Sequence, residues 1–248
     1  MKTIPASLFI LCLSFFTLNA NAQRFESGEA QVPLIELYTS EGCSSCPPAD
    51  RWLSSLTKSN DLWSGFVPMS FHVDYWDYIG WKDRFASREY SQRQRRYAAE
   101  YSETTVYTPG VRKTGKEWRS WRVFGNPVEK DAKRVGKMAV NVADDGSFTA
   151  EFDAQEPGLQ LNVAILGVGL SSEVTRGENT GRTLEHDFVV LGISTFATST
   201  AGKWSGVLPK ASVDAPNYAI AAWVTKGGRL TPIQATGGYL SAGELASN

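Results

Sequence analysis

Between the apolar run Val32–Thr39 (VPLIELYT) and the segment ADRWLSSL lies the pair Cys43-Ser44-Ser45-Cys46, and no other stretch ties the chain so firmly to one local geometry. The run is β-rich and is broken by Ser40-Glu41-Gly42. Pro47 and Pro48 follow the pair; they are tolerated in the first turn of a helix and not deeper. Ala49, Trp52, Leu53 and Leu56 then recur at helical spacing. The cysteines thus stand where a strand hands over to a helix. There the unpaired N–H groups and the helix dipole favour a thiolate at the first sulfur. Cys43 is expected to be an exposed nucleophile, and Cys46, one turn into the helix and more buried, the thiol that resolves a mixed disulfide.

The rest of the cysteine count supports chemistry over stapling. Of 3 cysteines in 248 residues, Cys12 falls within a leader-like segment: Lys2, the apolar run Leu8–Leu18, and Ala20-Asn21-Ala22 in the small-x-small form of a cleavage site. Residues 1–22 are therefore expected to be a signal peptide, and the protein exported, either periplasmic or secreted. The apolar run is shorter than the ~20 residues that cross a bilayer, and no later run is longer, so no membrane span is expected. A chain of this size buries enough core to fold without disulfides, and a Cys43–Cys46 bridge closes too small a loop to stabilise much. The charge balance, 25 Lys and Arg against 26 Asp and Glu, excludes a polybasic nucleic-acid binder and an acidic disordered tail.

Further along, Phe66–Tyr75 reads as a second strand and Asp83–Tyr101 as an amphipathic helix with Phe85, Tyr90, Tyr97 and Tyr101 among Arg and Glu. Thr105–Tyr107 reads as strand, Thr108-Pro109 as a turn, and Val111–Val123 as a ribbon turning at Thr114-Gly115. From Lys137 onward the texture changes. MAVNV, the turn Asp145-Gly146 and SFTAEFD make a hairpin, and strand-like runs follow at 159–170, 188–196, 218–225 and 230–235, the last two joined at Lys226-Gly227-Gly228. No helix-length periodic segment lies among them, which points to an antiparallel sandwich or open barrel. A boundary is expected near Asn126–Gly136, with a short helix at Val128–Val135. Tryptophan usage shifts with it: six lie between Trp52 and Trp121 and two beyond.

The motifs ELYTSEGCSSCPPAD, FHVDYWDYIGWKDRFAS and VYTPG, with GENTGRTLEHDFVV and IQATGGYL, resemble the exported, thioredoxin-like family catalogued as a domain of unknown function, DUF1223. The resemblance covers nearly the whole mature chain. It implies an α+β protein: a thioredoxin-like α/β domain over residues 30–128, carrying the CxxC and an aromatic and helical insertion, followed by a β-rich, sandwich-like domain over 136–248. By position within the wider thioredoxin comparison, Cys43 and Cys46 resemble the nucleophilic and resolving cysteines. Pro109 resembles the cis-proline that faces such a pair, offering the backbone of Thr108 to an extended substrate peptide. Glu36 stands roughly where thioredoxins bury an acid, as a proton relay for Cys46; the plainer reading is an acid at a strand end facing water. Gly42 and Ser44-Ser45 depart from the thioredoxin pattern, so no reduction potential transfers.

Other residues carry two readings each. His72 could join Cys43 and Cys46 in a copper site, since thiolate and imidazole suit Cu(I), or it is a strand histidine bonded to Asp74 or Asp77. His186 has nothing thiol-like near it in sequence. Tyr75–Trp81 (YWDYIGW) is either a platform over the cysteine cleft or a plug between the domains. Arg93, Arg95 and Arg96 read as a solvated helix face. Gly177–Phe188, rich in Gly, Asn and Thr, reads as a loop, and its place in the family resemblance implies a contact with the first domain. Three functions follow: an exported thiol-disulfide oxidoreductase using Cys43, Cys46, Thr108, Pro109 and Glu36 on protein or small-molecule disulfides, without cofactor; a copper carrier using Cys43, Cys46 and His72; and a binding module with an inert Cys43–Cys46 bridge.

Overall fold

The computed structural model describes residues 22–123, 128, 132–153, 156–199 and 201–241. The expected signal peptide, apart from its last residue, lies outside them, as does part of the stretch between Asn126 and Gly136. Of the helix expected at Val128–Val135, the described positions 128 and 132–135 are not helical.

In chain order the elements are β1 (Gln23–Glu26), β2 (Leu34–Thr39), α1 (Pro47–Ser55), β3 (Val67–His72), α2 (Arg88–Glu100), β4 (Gly110–Lys113) and β5 (Lys116–Glu117). There follow β6 (Met138–Val142), β7 (Ser147–Phe152), β8 (Leu159–Val168), β9 (Leu170–Val174), β10 (Arg182–His186), β11 (Val189–Ser199), β12 (Lys203–Val207), β13 (Asn217–Lys226) and β14 (Pro232–Tyr239). They form an eight-stranded mixed sheet in the order β14-β13-β8-β11-β3-β2-β4-β5, a four-stranded sheet β1-β6-β7-β12, and the hairpin β9–β10.

Alternation of side chains along β8 and β13 decides the layering. Ala164, Leu166 and Val168, with Ala219, Ala221 and Trp223, face a core shared with Leu34, Leu37, Leu53, Met69 and Phe71 from the first half of the chain. Leu161, Val163 and Ile165, with Ile220, Ala222 and Val224, face the opposite way, onto Met138, Val140, Phe148 and Phe152 of the small sheet. Strands buried on both faces read as continuous apolar runs, which is how AIAAWV in β13 looks. Gln234, fully buried, staples the layers: its amide donates to the carbonyls of Gly28, Ala30 and Gly136, and its oxygen accepts from Val32 N at 2.8 Å.

The expected thioredoxin-like α/β domain beside a separate β-rich domain is corrected by this arrangement. Strands make up 44% of the described residues and helix 17%. The strands near the cysteines do not close their own layered unit; β3 pairs in parallel with β11 through Val189 opposite Ser70, and both halves contribute to one core. The β-rich character holds throughout. Locally, α2 begins at Arg88 instead of Asp83, because Ser87 caps it by accepting from Glu89 N at 3.2 Å while Asp83 is drawn away to other partners. Thr105–Tyr107 forms no strand; the Tyr107 carbonyl accepts from the Gln94 side chain at 2.8 Å. No helix among the described residues is long and apolar enough to cross a membrane.

Candidate functional site around the Cys43–Cys46 pair

Cys43 and Cys46 are joined in a disulfide with their Cα atoms 5.4 Å apart. Cys46 is the residue before the first turn of α1, and its carbonyl accepts from Ala49 N at 2.8 Å and Asp50 N at 3.2 Å. The prolines that start this helix have no N–H to offer, and the N–H of Cys46 itself goes to the Cys43 carbonyl at 3.1 Å. The helix end therefore carries fewer free donors for a thiolate than its position in the sequence suggests.

Cys43 was expected to be exposed; it is 1% exposed, and Cys46 is fully buried. Two segments cover the pair. Residues Asp74–Ile79, most of the aromatic segment, form a 3-10 turn that places Trp76 and Ile79 over Gly42, where a Cβ would stand 3.0 Å from Trp76 Cβ. Trp76 Nε1 also donates to Thr108 Oγ1 at 2.8 Å, tying this cover to the Thr108-Pro109 loop. On the other flank Asn179 Nδ2 donates to the carbonyls of Glu41 and Cys43 at 2.8 and 3.0 Å, and Ser44 N donates to Glu178 at 3.1 Å. The loop from Gly177 thus makes the contact with the first half of the chain that its place in the family resemblance hinted at. Ser44 and Ser45 remain exposed between the two covers.

Next to the pair lies a cluster of titratable groups, of which the sequence offered His72 as a candidate ligand and passed over Glu41, Asp50 and Asp83. His72 Nδ1 meets Asp83 Oδ2 at 2.7 Å, and Asp83 also accepts from the backbone N–H groups of Glu41 and Phe85, each at 2.9 Å. His186 Nε2 stands 3.3 Å from Glu41 Oε1, attracted but too poorly aligned for a hydrogen bond, while Glu41 Oε2 accepts from Trp81 Nε1 at 2.7 Å. The two imidazoles meet edge to face with centroids 4.9 Å apart. Asp50, on α1, faces both histidines electrostatically and keeps Oδ2 without a hydrogen-bond partner. A cavity of about 110 Å³ lined by Pro47, Asp50, Thr183 and His186 adjoins the cluster.

The charge states follow from burial and pairing. Burial alone would push His72 down, but Asp83, with Asp50 and Glu41, outweighs it and holds His72 above its ordinary value. Burial would raise Asp83 and Glu41; His72 for the one and His186 for the other reverse this, and both carboxyls end below their usual range. Asp50 is the exception: burial raises it, and the histidines only partly offset the rise. It is the carboxyl in the cluster that holds a proton most readily.

The other sequence candidates take distinct places. Glu36 is fully buried on β2, neither facing water nor turned to a cysteine: its oxygens accept from Arg93 Nε at 2.9 Å, Tyr97 at 2.5 Å and Tyr38 at 3.0 Å. Arg93 accordingly leaves the solvated face assigned to it, although Arg95 and Arg96 stay exposed. The Thr108–Pro109 bond is cis. His72 is engaged by Asp83, not Asp74 or Asp77, and among the described residues no three His, Cys, Asp or Glu side chains are placed to hold a metal ion. His186, which looked isolated, is brought to the site because the β9–β10 hairpin folds back against α1.

A family model described as protein of unknown function, DUF1223, matches residues 34–225. Among solved structures, a structural-genomics target from Agrobacterium tumefaciens is similar with a TM-score of 0.61 and 24% identity, over 89% of this chain and 96% of that one. HBP35 of Porphyromonas gingivalis is similar with a TM-score of 0.57 and 12% identity, over 90% of this chain and 79% of that one. At such identities the likeness is one of fold. No curated protein matches the chain.

Proposed function

The chain belongs to the DUF1223 family, and we propose that it is an exported thiol-disulfide exchange protein whose reactive pair rests under a cover. With the pair oxidised, a substrate thiolate attacks Cys43 Sγ, the Cys43–Cys46 bond breaks, and Cys46 leaves as a thiolate that takes up a proton. A second substrate thiolate then displaces Cys43. The substrate gives up two electrons and becomes a disulfide; the pair gains them and becomes two thiols. In this reading Asp50, which shares the start of α1 with Cys46, supplies the proton.

The observation that carries this reading is the cluster itself. Three carboxyls and two imidazoles are buried beside a bridge that closes a loop of sequence separation 3 and so adds little stability. Burying such groups costs several kcal/mol per uncompensated ion, and sites of chemistry are where that cost is retained. The cover formed by Trp76 and Asn179 means that exchange requires a local opening.

A second reading, an inert bridge within a binding module, draws on the burial of Cys43. Glutathione redox titration separates the two, together with the Cys46→Ala variant, in which a mixed disulfide on Cys43 should accumulate. A bridge that resists dithiothreitol until the protein unfolds, with no mixed disulfide in the variant, assigns the pair to structure.

A further inference from the structure

The lip over the cysteine pair carries a charge that the exchange chemistry does not need. Ser44 and Ser45 are exposed, and Ser45 Oγ stands 3.3 Å from Cys43 Sγ, so the sulfur comes nearest to the surface on this side. Glu178 sits on the same lip: its Oε2 accepts from Ser44 N at 3.1 Å. The side chain is exposed, and Ser44, through its hydroxyl and its amide, holds the carboxyl below its usual range, so it is ionised at neutral pH. Among the described residues no cation neutralises it. Arg182 belongs to the same loop but donates to Asn179 Oδ1 at 3.0 Å, and Arg51 of α1 lies with Glu185 at the cavity beside His186. On the opposite cover Asp77 and Lys82 are of opposite sign and close enough to act on each other. Buried Glu41, just before Gly42 and Cys43, adds a charge of the same sign as Glu178.

Of the two covers the loop is the better anchored. Asn179 is fully buried and spans the carbonyls of Glu41 and Cys43, Ser44 N adds the bond to Glu178, and Thr180 Oγ1 closes the loop on the Gly177 carbonyl at 2.6 Å. Trp76, in contrast, is partly exposed and its indole holds Thr108 through a single hydrogen bond. An opening on the Trp76 side therefore uncovers Cys43 Sγ while leaving Glu178 in place. An incoming thiolate, already negative, meets a fixed carboxylate at the entrance.

We infer that Glu178 makes this entrance select thiols that bear a positive charge a few atoms from sulfur, such as a polypeptide cysteine flanked by Lys or Arg, over anionic thiols. The inference rests on the exchange reading and names the substrate class of that same site. The substrate thiolate forms a bond to Cys43 Sγ, the Cys43–Cys46 bond breaks, and Cys46 keeps the electron pair and takes up a proton. An ammonium or guanidinium beside the attacking sulfur cancels the thiolate charge and is drawn to the carboxylate, whereas a second anion on the substrate doubles the repulsion.

The test is reduction of the full, folded chain by three two-carbon thiols, cysteamine, 2-mercaptoethanol and 2-mercaptoethanesulfonate, whose thiolates are neutral overall, singly negative and doubly negative. Each rate is taken per thiolate and divided by the rate with 2-hydroxyethyl disulfide, which removes differences in intrinsic nucleophilicity. A unit charge ~6 Å away in water changes a rate roughly threefold, so the normalised rates should fall by about that factor at each step at low ionic strength. The spread should close at ~1 M salt, where the screening length is ~3 Å. Glu178→Gln keeps an acceptor for Ser44 N and should bring the three rates within about twofold of one another, and Glu178→Lys should reverse their order. A variant that only loosens the loop speeds all three alike and leaves the ratios as in the parent; that outcome, like equal rates in the parent, overturns the selectivity. A bridge that none of the three thiols reduces until the protein unfolds overturns the exchange reading itself, and the selectivity with it.

Discussion

Trp76→Ala is the perturbation that most directly tests whether the cover controls the disulfide. A fully buried tryptophan truncated to alanine loses about 3–5 kcal/mol. Trp76 is only partly buried, yet it packs on Gly42 and donates to Thr108 at 2.8 Å. Roughly half the packing loss together with a hydrogen bond worth about 1 kcal/mol comes to about 3 kcal/mol. These contacts exist only while the cover is closed, so the loss shifts the opening equilibrium by that amount. At 1.4 kcal/mol per tenfold, reduction of the bridge should accelerate on the order of 100-fold. The assay is reduction by excess dithiothreitol under native conditions, quenched by alkylation and read by mass. Trp204→Ala is the control, because Trp204 packs in the second core beneath β12 and touches neither cover. A Trp76→Ala rate within twofold of the parent refutes the gating argument. So does equal acceleration in the control, which would make global unfolding the route to the sulfurs.

Gly42→Ala would place a Cβ 3.0 Å from Trp76 Cβ and 3.3 Å from the Trp76 carbonyl, so the cover must move; lower thermal stability and faster bridge reduction are expected, and a melting curve identical to the parent's would contradict the packing. Glu36→Gln leaves Arg93 buried without its counter-ion, at a cost of about 3–5 kcal/mol, or roughly 10 °C in melting temperature by calorimetry; a shift below about 2 °C would show the pair to be dispensable. His72 is held above its unfolded value of about 6.5, so its contribution is complete below that pH and is lost as pH rises through the folded value. Asp83 and Glu41, held low, lose theirs only in acid, and Asp50, held high, begins to lose its own from about pH 3.8 upward. Urea stability should therefore fall above about pH 6.5 in the parent and flatten there in His72→Gln; a parent curve that rises across that range would sink the assignment.

What could be read from the chain was the chemistry of its turns. Gly115, Gly146 and Gly228 each take positive φ where a hairpin turn was expected, and the prolines after Cys46 open α1 as their missing N–H groups require. The pairing of β11 with β3 was not legible, since Val189 and Ser70 are separated by more than a hundred residues and neither strand carries a mark of its partner. Charge misled for the same reason. Glu36, Arg93 and Arg112 look like surface residues in a one-dimensional pattern, and only the fold shows Arg93 on Glu36 and Arg112 on Glu103. Asp50 resembles an ordinary first-turn helix acid, and His186 an isolated histidine. Both gain meaning when the β9–β10 hairpin closes over α1.

The seam between β11 and β3 consists of a single ladder step, supplemented by Ser70 N donating to the Phe188 carbonyl at 2.8 Å, whereas β8 and β13 are matched residue for residue along ten positions. Backbone zippering thus does little to hold the two flanks together. They adhere through Trp223, Phe188 and Phe71 and their shared neighbours. A protease that cut the chain near its middle would leave a β3 margin with open amides and an oily face wet on one side, a fragment prone to self-association rather than a surviving module.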